Sequence, residues 1–350
     1  MSAQPVQQPS AGTYRLQVAA VIDETADARS LVLSVPAELR ERFRYRPGQF
    51  LSFRVPHGGK LLTRCYSMAS SPDCDAQPKV TIKRVNEGRV SNWMNDAVQA
   101  GDWLEVLPPA GHFYLKPGTH PLVLFGGGSG ITPVMSILKS ALRTGTRSVK
   151  LVYANRDEAS VIFRDELRAL LKAHPEQLQV VHLLDSLQGF VDAAEVRRQV
   201  RGVGDGEFFI CGPGPFMDTV ENTLLELGKP RERIHVERFV SPPDPDQVAE
   251  PAPIASTVEC QALIVEVDGV AHEVPSLPGA TLLQSCRAAG LDVPFSCEEG
   301  FCGACMCQVE EGTLGLARND VLSAQELAEG WTLACQARPD APRVRLKFPA

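Results

Sequence analysis

Cys297-Glu-Glu-Gly300-Phe-Cys302-Gly303-Ala304-Cys305, with a fourth cysteine at Cys335, decides how the C-terminal part of this chain is read. The spacing is C-x4-C-x2-C followed by a distant thiol, the ligand pattern of a plant-type 2Fe-2S centre. Glycine or alanine stands between the thiolates, so the backbone can close round a cluster without a Cβ clash. Structural zinc more often uses paired C-x2-C units, and ordinary buried thiols need no such register. The pattern therefore favours electron transfer, with Cys297, Cys302, Cys305 and Cys335 as metal ligands. Cys307 follows closely, but four thiolates already complete the pattern and it reads as a spectator.

Outward from this run, strands are expected at 262–267, 271–274 and 344–348 and a helix at 281–289, which makes residues 257–350 a small mixed α/β domain. Upstream, residues 241–256 hold five prolines and little that can pack, and read as a semi-extended linker. Residues 257–350 contain 13 acidic and 6 basic side chains, the whole net charge of -7, while residues 1–256 are balanced. An acidic surface on the last electron carrier suits a redox partner with a basic patch and disfavours nucleic acid; an acidic face kept for solubility is the plainer reading.

Between 118 and 240 apolar strands alternate with helical stretches: 122–125, 149–153, 179–184, 207–210 and 234–239. Five strands spaced by helices indicate a parallel α/β sheet. Its first strand runs into Gly126-Gly-Gly128-Ser-Gly130-Ile-Thr132-Pro133, where bare glycines admit a pyrophosphate to the backbone amides and Thr132 can cap the following helix. A second strand end, Ile210-Cys211-Gly212-Pro-Gly-Pro, repeats the device. Ligands bind outside the carboxyl ends of parallel strands, so the two loops can hold opposite ends of one dinucleotide. Ala154-Asn-Arg156-Asp-Glu offers an arginine for a 2'-phosphate beside acids that would repel it. Residues 13–117 alternate short apolar runs with Gly, Pro and Asp turns, the pattern of an antiparallel β-barrel. In it, Arg64-Cys-Tyr66-Ser67 supplies a cation, an aromatic plate and a hydroxyl, and Gly88-Arg-Val90-Ser91 a second phosphate-suited turn.

At 350 residues, 44% of them hydrophobic, the chain can bury more than one core. The first 12 residues read as a flexible tail without a signal peptide. No apolar run reaches the roughly 18 residues of a membrane span. Ten cysteines without a secretory signal argue for reduced thiols and a cytoplasmic protein. No internal repeat is evident, and neither a Ser-His-Asp set nor paired carboxylates stand out.

Taken in order, Tyr45-Arg-Pro-Gly-Gln-Phe50, Arg64-Cys-Tyr66-Ser67, Gly88 to Ser91, Gly126 to Pro133 and Cys211-Gly-Pro resemble the ferredoxin-NADP reductase superfamily. With the cysteine run appended, the chain resembles the reductase components of bacterial oxygenases, nearest those of 3-ketosteroid 9α-hydroxylase, with the phenylacetyl-CoA epoxidase reductase a near relative. The resemblance implies a FAD-binding β-barrel, an NAD(P)H-binding α/β domain and a β-grasp ferredoxin-like α+β domain. It implies Arg64, Gly88, Val90 and Ser91 at the FAD, Lys83 among the cofactor-binding residues, Tyr66 against the isoalloxazine and Ser67 near its N5. Gly128, Gly130, Thr132, Arg156, Cys211 and Gly212 would line the nicotinamide coenzyme site, with NADH preferred and NADPH possible, and Glu237 and Phe239 would lie near the flavin. Ser67, Cys211 and Glu237 are the residues implied for catalysis. The implied activity is a relay from NAD(P)H through FAD and 2Fe-2S to a terminal oxygenase or similar one-electron acceptor protein. Other readings are the reductase of an epoxidase or fatty-acyl desaturase, or a redox sensor without turnover.

Overall fold

The computed structural model describes residues 12–240 and 260–349; the tail to residue 11 and the proline-rich stretch 241–256 lie outside them. Two compact units divide the chain, Met1–Pro109 with Phe113–Phe239, and Ala110–His112 with Val240–Ala350.

The first unit begins with β1 (Tyr14–Thr25), β2 (Ala28–Ser34), β3 (Phe50–His57), β4 (Lys60–Ser67), β5 (Lys79–Lys83), α1 (Arg89–Asp96) and β6 (Trp103–Val106). The strands pair in the order β4-β3-β6-β1-β2-β5, and a bridge between Met68, just past β4, and Val80 in β5 joins the two edges into a barrel. Period-two alternation sends Leu16 and Val18, Leu31 and Leu33, and Leu51, Phe53 and Val55 into one core, to which α1 adds Val90 and Met94.

The same unit continues with β7 (Leu122–Gly127), α2 (Ile131–Thr144), β8 (Val149–Asn155), α3 (Arg164–Ala173), β9 (Leu178–Leu184), α4 (Asp185–Gln188), α5 (Ala193–Gln199), β10 (Glu207–Cys211), α6 (Gly214–Glu226) and β11 (Ile234–Glu237). All five strands are parallel, in the order β11-β10-β7-β8-β9, and each face of the sheet carries its own apolar core. The expected strand 234–239 is shorter: β11 stops at Glu237 because its partner β10 ends opposite at Cys211.

The second unit holds β12 (Ala262–Val267), β13 (Val270–Val274), α7 (Leu282–Ala288), β14 (Met306–Glu311), β15 (Leu314–Leu316), α8 (Ala324–Ala328), β16 (Trp331–Leu333), β17 (Ala337–Pro339) and β18 (Arg343–Lys347). Its main sheet runs β13-β12-β18-β14-β16, with β12 and β18 parallel and the other pairs antiparallel. Thr281 caps α7 reciprocally with Gln284, a capping box.

One polar seam ties the barrel to the parallel sheet. Residues Ile131 to Leu142 of α2 are all buried, yet they include Ser136, Lys139 and Ser140, one helical face by their spacing. Ser136 Oγ donates to the Ser70 carbonyl at 2.6 Å and accepts from Gly48 N at 3.2 Å. Ser140 and Ser71 share a hydroxyl hydrogen bond of 2.7 Å. Lys139, 7% exposed, pairs with Asp75 of the barrel at 2.8 Å and with Glu166 of α3, which Lys79 of β5 also reaches at 2.9 Å. A buried charge of this kind is tolerated only when its partners surround it. Lys139→Met should cost about 2 kcal/mol, discounted from the fully buried case because both carboxylates keep some solvent. Denaturant unfolding followed by far-UV circular dichroism measures it; an unchanged midpoint would mean the seam adds nothing.

Candidate functional site

The carboxyl ends of the parallel strands form one row. Gly126 of β7 lies opposite Cys211 of β10 on one side and Tyr153 of β8 on the other, and Cys211 lies opposite Glu237 of β11. Across the row from β11 to β8 stand Glu237, Cys211, the glycine loop, and then Asn155 and Arg156.

Two of the glycines have a packing reason beside the one expected. A Cβ at Gly130 would sit 2.1 Å from the Cys211 carbonyl oxygen, and one at Gly212 would sit 3.0 Å from the Gly127 Cα. The two loops touch backbone to backbone, so these glycines are required by loop-loop packing. Thr132 likewise does not cap: Gly130 is the N-cap of α2 without a side-chain bond, and Thr132, inside the first turn, donates its hydroxyl to the Ser129 carbonyl at 3.1 Å. No side chain caps that turn, although its Ile131 amide already donates to the Gly128 carbonyl in the 3-10 turn before it and Pro133 has no N–H; an uncapped helix N-terminus is a place where an anion can be received. Lys83 reaches the same place from the barrel; its Nζ is 4.0 Å from where a Gly128 Cβ would be and 3.7 Å from Asp27.

Arg156 is exposed and held by Asp157 at 3.0 Å, while Asp157 caps the following turn through Ser160. Cys211 is fully buried, and burial, with the nearby Glu237, drives its thiol upward. Glu237 is half-buried by surface area, yet crowded on its protein side so that burial pushes its carboxyl up to about 8. Phe239 is 46% exposed.

In the barrel, β4 pairs with β3 so that Tyr66 lies opposite Leu51 and Ser67 opposite Phe50. Strand alternation puts Arg64 and Tyr66 on one face and Cys65 and Ser67 on the other. Tyr66 packs edge-on against Phe53 at 5.8 Å, and burial raises its hydroxyl pKa. Arg64 donates to the Thr63 carbonyl at 2.8 Å. Gly88 is the N-cap of α1, and Ser91 Oγ accepts from Val85 N at 3.1 Å. Val90 is 2% exposed and belongs to the barrel core, so only its backbone faces the turn. The helical ladder begins with Asn92 N–H to the Gly88 carbonyl, 3.1 Å, and leaves the amides of residues 89–91 upstream of it.

In the second unit the four cysteines of the run converge as two pairs. Cys297 shares a hydrogen bond with Cys302, and Cys305 with Cys335; these bonds raise Cys297 and Cys305 and lower Cys335. Backbone amides point at the sulfurs: Cys297 N to Cys302 Sγ at 3.4 Å, Glu299 N to Cys297 Sγ at 3.3 Å and Cys335 N to Cys305 Sγ at 3.4 Å. Glu298, Gly300 and Gly303 turn the loop through positive φ, and a Cβ at Gly300 would lie 3.0 Å from Gln336 Cγ and 3.1 Å from the Arg318 carbonyl oxygen. No group of three or more His, Cys, Asp or Glu set to hold one metal ion occurs among the described residues. Two sulfur pairs ringed by N–H donors fit a two-iron cluster, with two thiolates for each iron. Cys307 points instead into the core beside Cys286. None of the ten cysteines forms a disulfide.

Sequence reading alone passed over Lys139 with its carboxylates, which carries no motif, and Gln336, whose only signal is its place next to Cys335.

The chain matches three family models: an oxidoreductase FAD-binding domain over 15–114, an oxidoreductase NAD-binding domain over 124–222, and a 2Fe-2S iron-sulfur cluster binding domain over 265–340. It is 49% identical to the ferredoxin reductase component of 3-ketosteroid-9-alpha-monooxygenase from Rhodococcus rhodochrous, over 95% of this chain and 96% of the relative. It is 33% identical to one of the subunits of the 1,2-phenylacetyl-CoA epoxidase of Escherichia coli, over 96% of this chain and 98% of that relative. Phthalate dioxygenase reductase, a modular structure for electron transfer from pyridine nucleotides to 2Fe-2S, superimposes with a TM-score of 0.59 at 26% identity, covering 96% of this chain and 98% of that one. FAD, a nicotinamide dinucleotide and a 2Fe-2S cluster are therefore the cofactors of this oxidoreductase. With identity sustained across all three parts, the chain belongs to the oxygenase reductases of the ferredoxin-NADP reductase superfamily, which join flavin-, nicotinamide- and cluster-binding domains in one polypeptide.

Proposed function

We propose that this protein takes a hydride from NADH and delivers the electrons one at a time to the terminal component of an oxygenase that acts on 3-ketosteroids. The observation that carries this reading is the 49% identity with a 3-ketosteroid-9-alpha-monooxygenase reductase component over 95% of the chain. Bound FAD would accept two electrons together and the cluster would export them singly, and the chain's own residues bind, orient and protect. Arg64 and the amides of Arg89, Val90 and Ser91, the first turn of α1 after its N-cap Gly88, would hold the FAD pyrophosphate. Tyr66 would support the flat ring, and Ser67 would stand near N5. The uncapped first turn of α2, with Gly128, Gly130 and Thr132, would receive the coenzyme pyrophosphate, helped by Lys83. Cys211 and Gly212 would meet the nicotinamide, and Arg156 the adenosine ribose. Phe239, at the end of the first unit, would lie over the same edge. Cys297, Cys302, Cys305 and Cys335 would ligate the cluster. A cytoplasmic location belongs to the same reading and is supported by ten cysteines of which none forms a disulfide; no described helix is long and apolar enough to cross a membrane.

The direct test is reconstitution with the terminal component of a 3-ketosteroid 9α-monooxygenase, measuring hydroxylated steroid against NADH consumed. Coupled turnover at least tenfold faster with NADH than with NADPH is the expected outcome. Rapid reduction of ferricyanide without any coupling would point to an epoxidase or desaturase partner, and no turnover in cofactor-loaded protein would point to a sensor. At the metal site, Cys302→Ser should abolish the visible cluster absorbance and Cys307→Ser should keep it; the reverse result would reassign the ligands.

Glu237 would hold a proton at neutral pH. The folded chain binds that proton more tightly than the unfolded one, so the stability it contributes is full below the ordinary carboxyl pKa of about 4.5 and is lost as pH rises towards about 8. Unfolding measured at pH 5 and pH 8 should therefore show a smaller pH-dependent loss for Glu237→Gln than for the native protein, and equal losses would contradict the protonated carboxyl.

A further inference from the structure

Gln336 follows the last cysteine of the run and is half-buried against the loop that carries the other three. Its Nε2 donates to the Glu298 carbonyl at 2.9 Å and lies 3.7 Å from Cys335 Sγ in donor geometry. An amide NH2 carries two hydrogens, and the Glu298 carbonyl, a pure acceptor, fixes which end of the side chain faces it. One hydrogen is committed to that carbonyl, and the other points at the sulfur. Gly300 makes the arrangement possible, since a Cβ there would press to 3.0 Å on Gln336 Cγ. The other donors to these sulfurs described above are backbone amides, which no side-chain substitution removes.

We infer that Gln336 sets the reduction potential of the cluster by donating a hydrogen bond to the thiolate of Cys335. The inference rests on the assignment of Cys335 as a ligand. Reduction adds one electron, supplied by NAD(P)H through the flavin, which gives up that electron; no bond forms or breaks at Gln336 and no proton moves there. The added negative charge is shared with the ligand sulfurs, and an N–H donor aimed at one of them stabilises the electron-rich state, as hydrogen bonds to cluster sulfurs do generally. Gln336 is thus a tuning residue for the step from flavin to cluster and has no part in hydride transfer. Its second bond, to Glu298, ties the loop of the first three cysteines to the segment of the fourth, so the donor stays aimed as the segment is held.

The test is anaerobic redox titration of the full-length, cofactor-loaded protein, read by visible absorbance and electron paramagnetic resonance, with iron content measured first. Gln336→Met keeps the length and removes the donor. At a fixed poise its reduced-to-oxidised ratio should fall several-fold, where tenfold corresponds to about 59 mV for one electron. Should this variant fail to assemble the cluster, Gln336→Glu provides the second measurement. Its carboxyl donates when protonated and only accepts when ionised, so its potential should fall with rising pH more steeply than that of the native protein. An assembled variant with the native potential, or a Glu variant with the native pH profile, would overturn the inference. Loss of ligation shows separately: Cys335→Ser that retains the native cluster spectrum would remove the ligand assignment itself, whatever Gln336 does.

Discussion

The contact on which the nucleotide half depends is that between the backbones of two loops, at Gly130 and at Cys211-Gly212. Parallel pairing of β7 with β10 sets Gly126 opposite Cys211 and leaves no room between the loops for a single Cβ. Where the loops close to this degree, α2 starts one 3-10 turn past the end of β7, with no side chain capping its first turn. Because α2 starts there, its polar face of Ser136, Lys139 and Ser140 meets the barrel. Burying a lysine is costly unless its charge is matched, and Asp75 of the barrel and Glu166 of α3 supply the match from both sides, Glu166 also pairing with Lys79 of β5. The helix that begins at the coenzyme loop is thereby fixed to the barrel that carries Arg64 and Tyr66, which turns two sequence domains into one compact unit.

The cluster domain solves a related problem with sulfur. A loop that brings Cys297, Cys302 and Cys305 to one place must turn sharply, and it does so through positive φ at Glu298, Gly300 and Gly303. Glycine relieves two of these positions; Glu298 takes the third without that relief. The loop directs the amides of Cys297 and Glu299 to its own sulfurs, and the segment of the fourth cysteine adds the amide of Cys335, so the fold that gathers the ligands also supplies donors to them. Cys335 arrives on a separate segment, just past β16, and Gln336 fastens that segment to the loop. Cys307, on β14, is fully buried in the apolar core beside Cys286 and makes no hydrogen bond with the two cysteine pairs among those described.

Spacing along the chain was enough for whatever depends on local order. Four cysteines in a fixed register, five apolar strands separated by helices, and short alternating runs with Gly and Pro turns specified three architectures, because strand and helix periods and metal-ligand spacings are properties of neighbouring residues. Four strands of the cluster domain escaped: β15, β16 and β17 have three residues each, too few to display a period, and β14 (Met306–Glu311) follows directly on the cysteine run. What the glycines are for, where Thr132 donates, why β11 ends at Glu237, and that Lys139 and Gln336 matter at all were decided by tertiary structure. Most of these depend on a group distant in sequence: a carbonyl on another strand, a partner strand's last residue, carboxylates from two other segments, a carbonyl in the cysteine loop. Motif spacing announces which chemistry a chain can hold, but the distance from an amide to a sulfur, or from a Cβ to a facing backbone, exists only once the segments have packed.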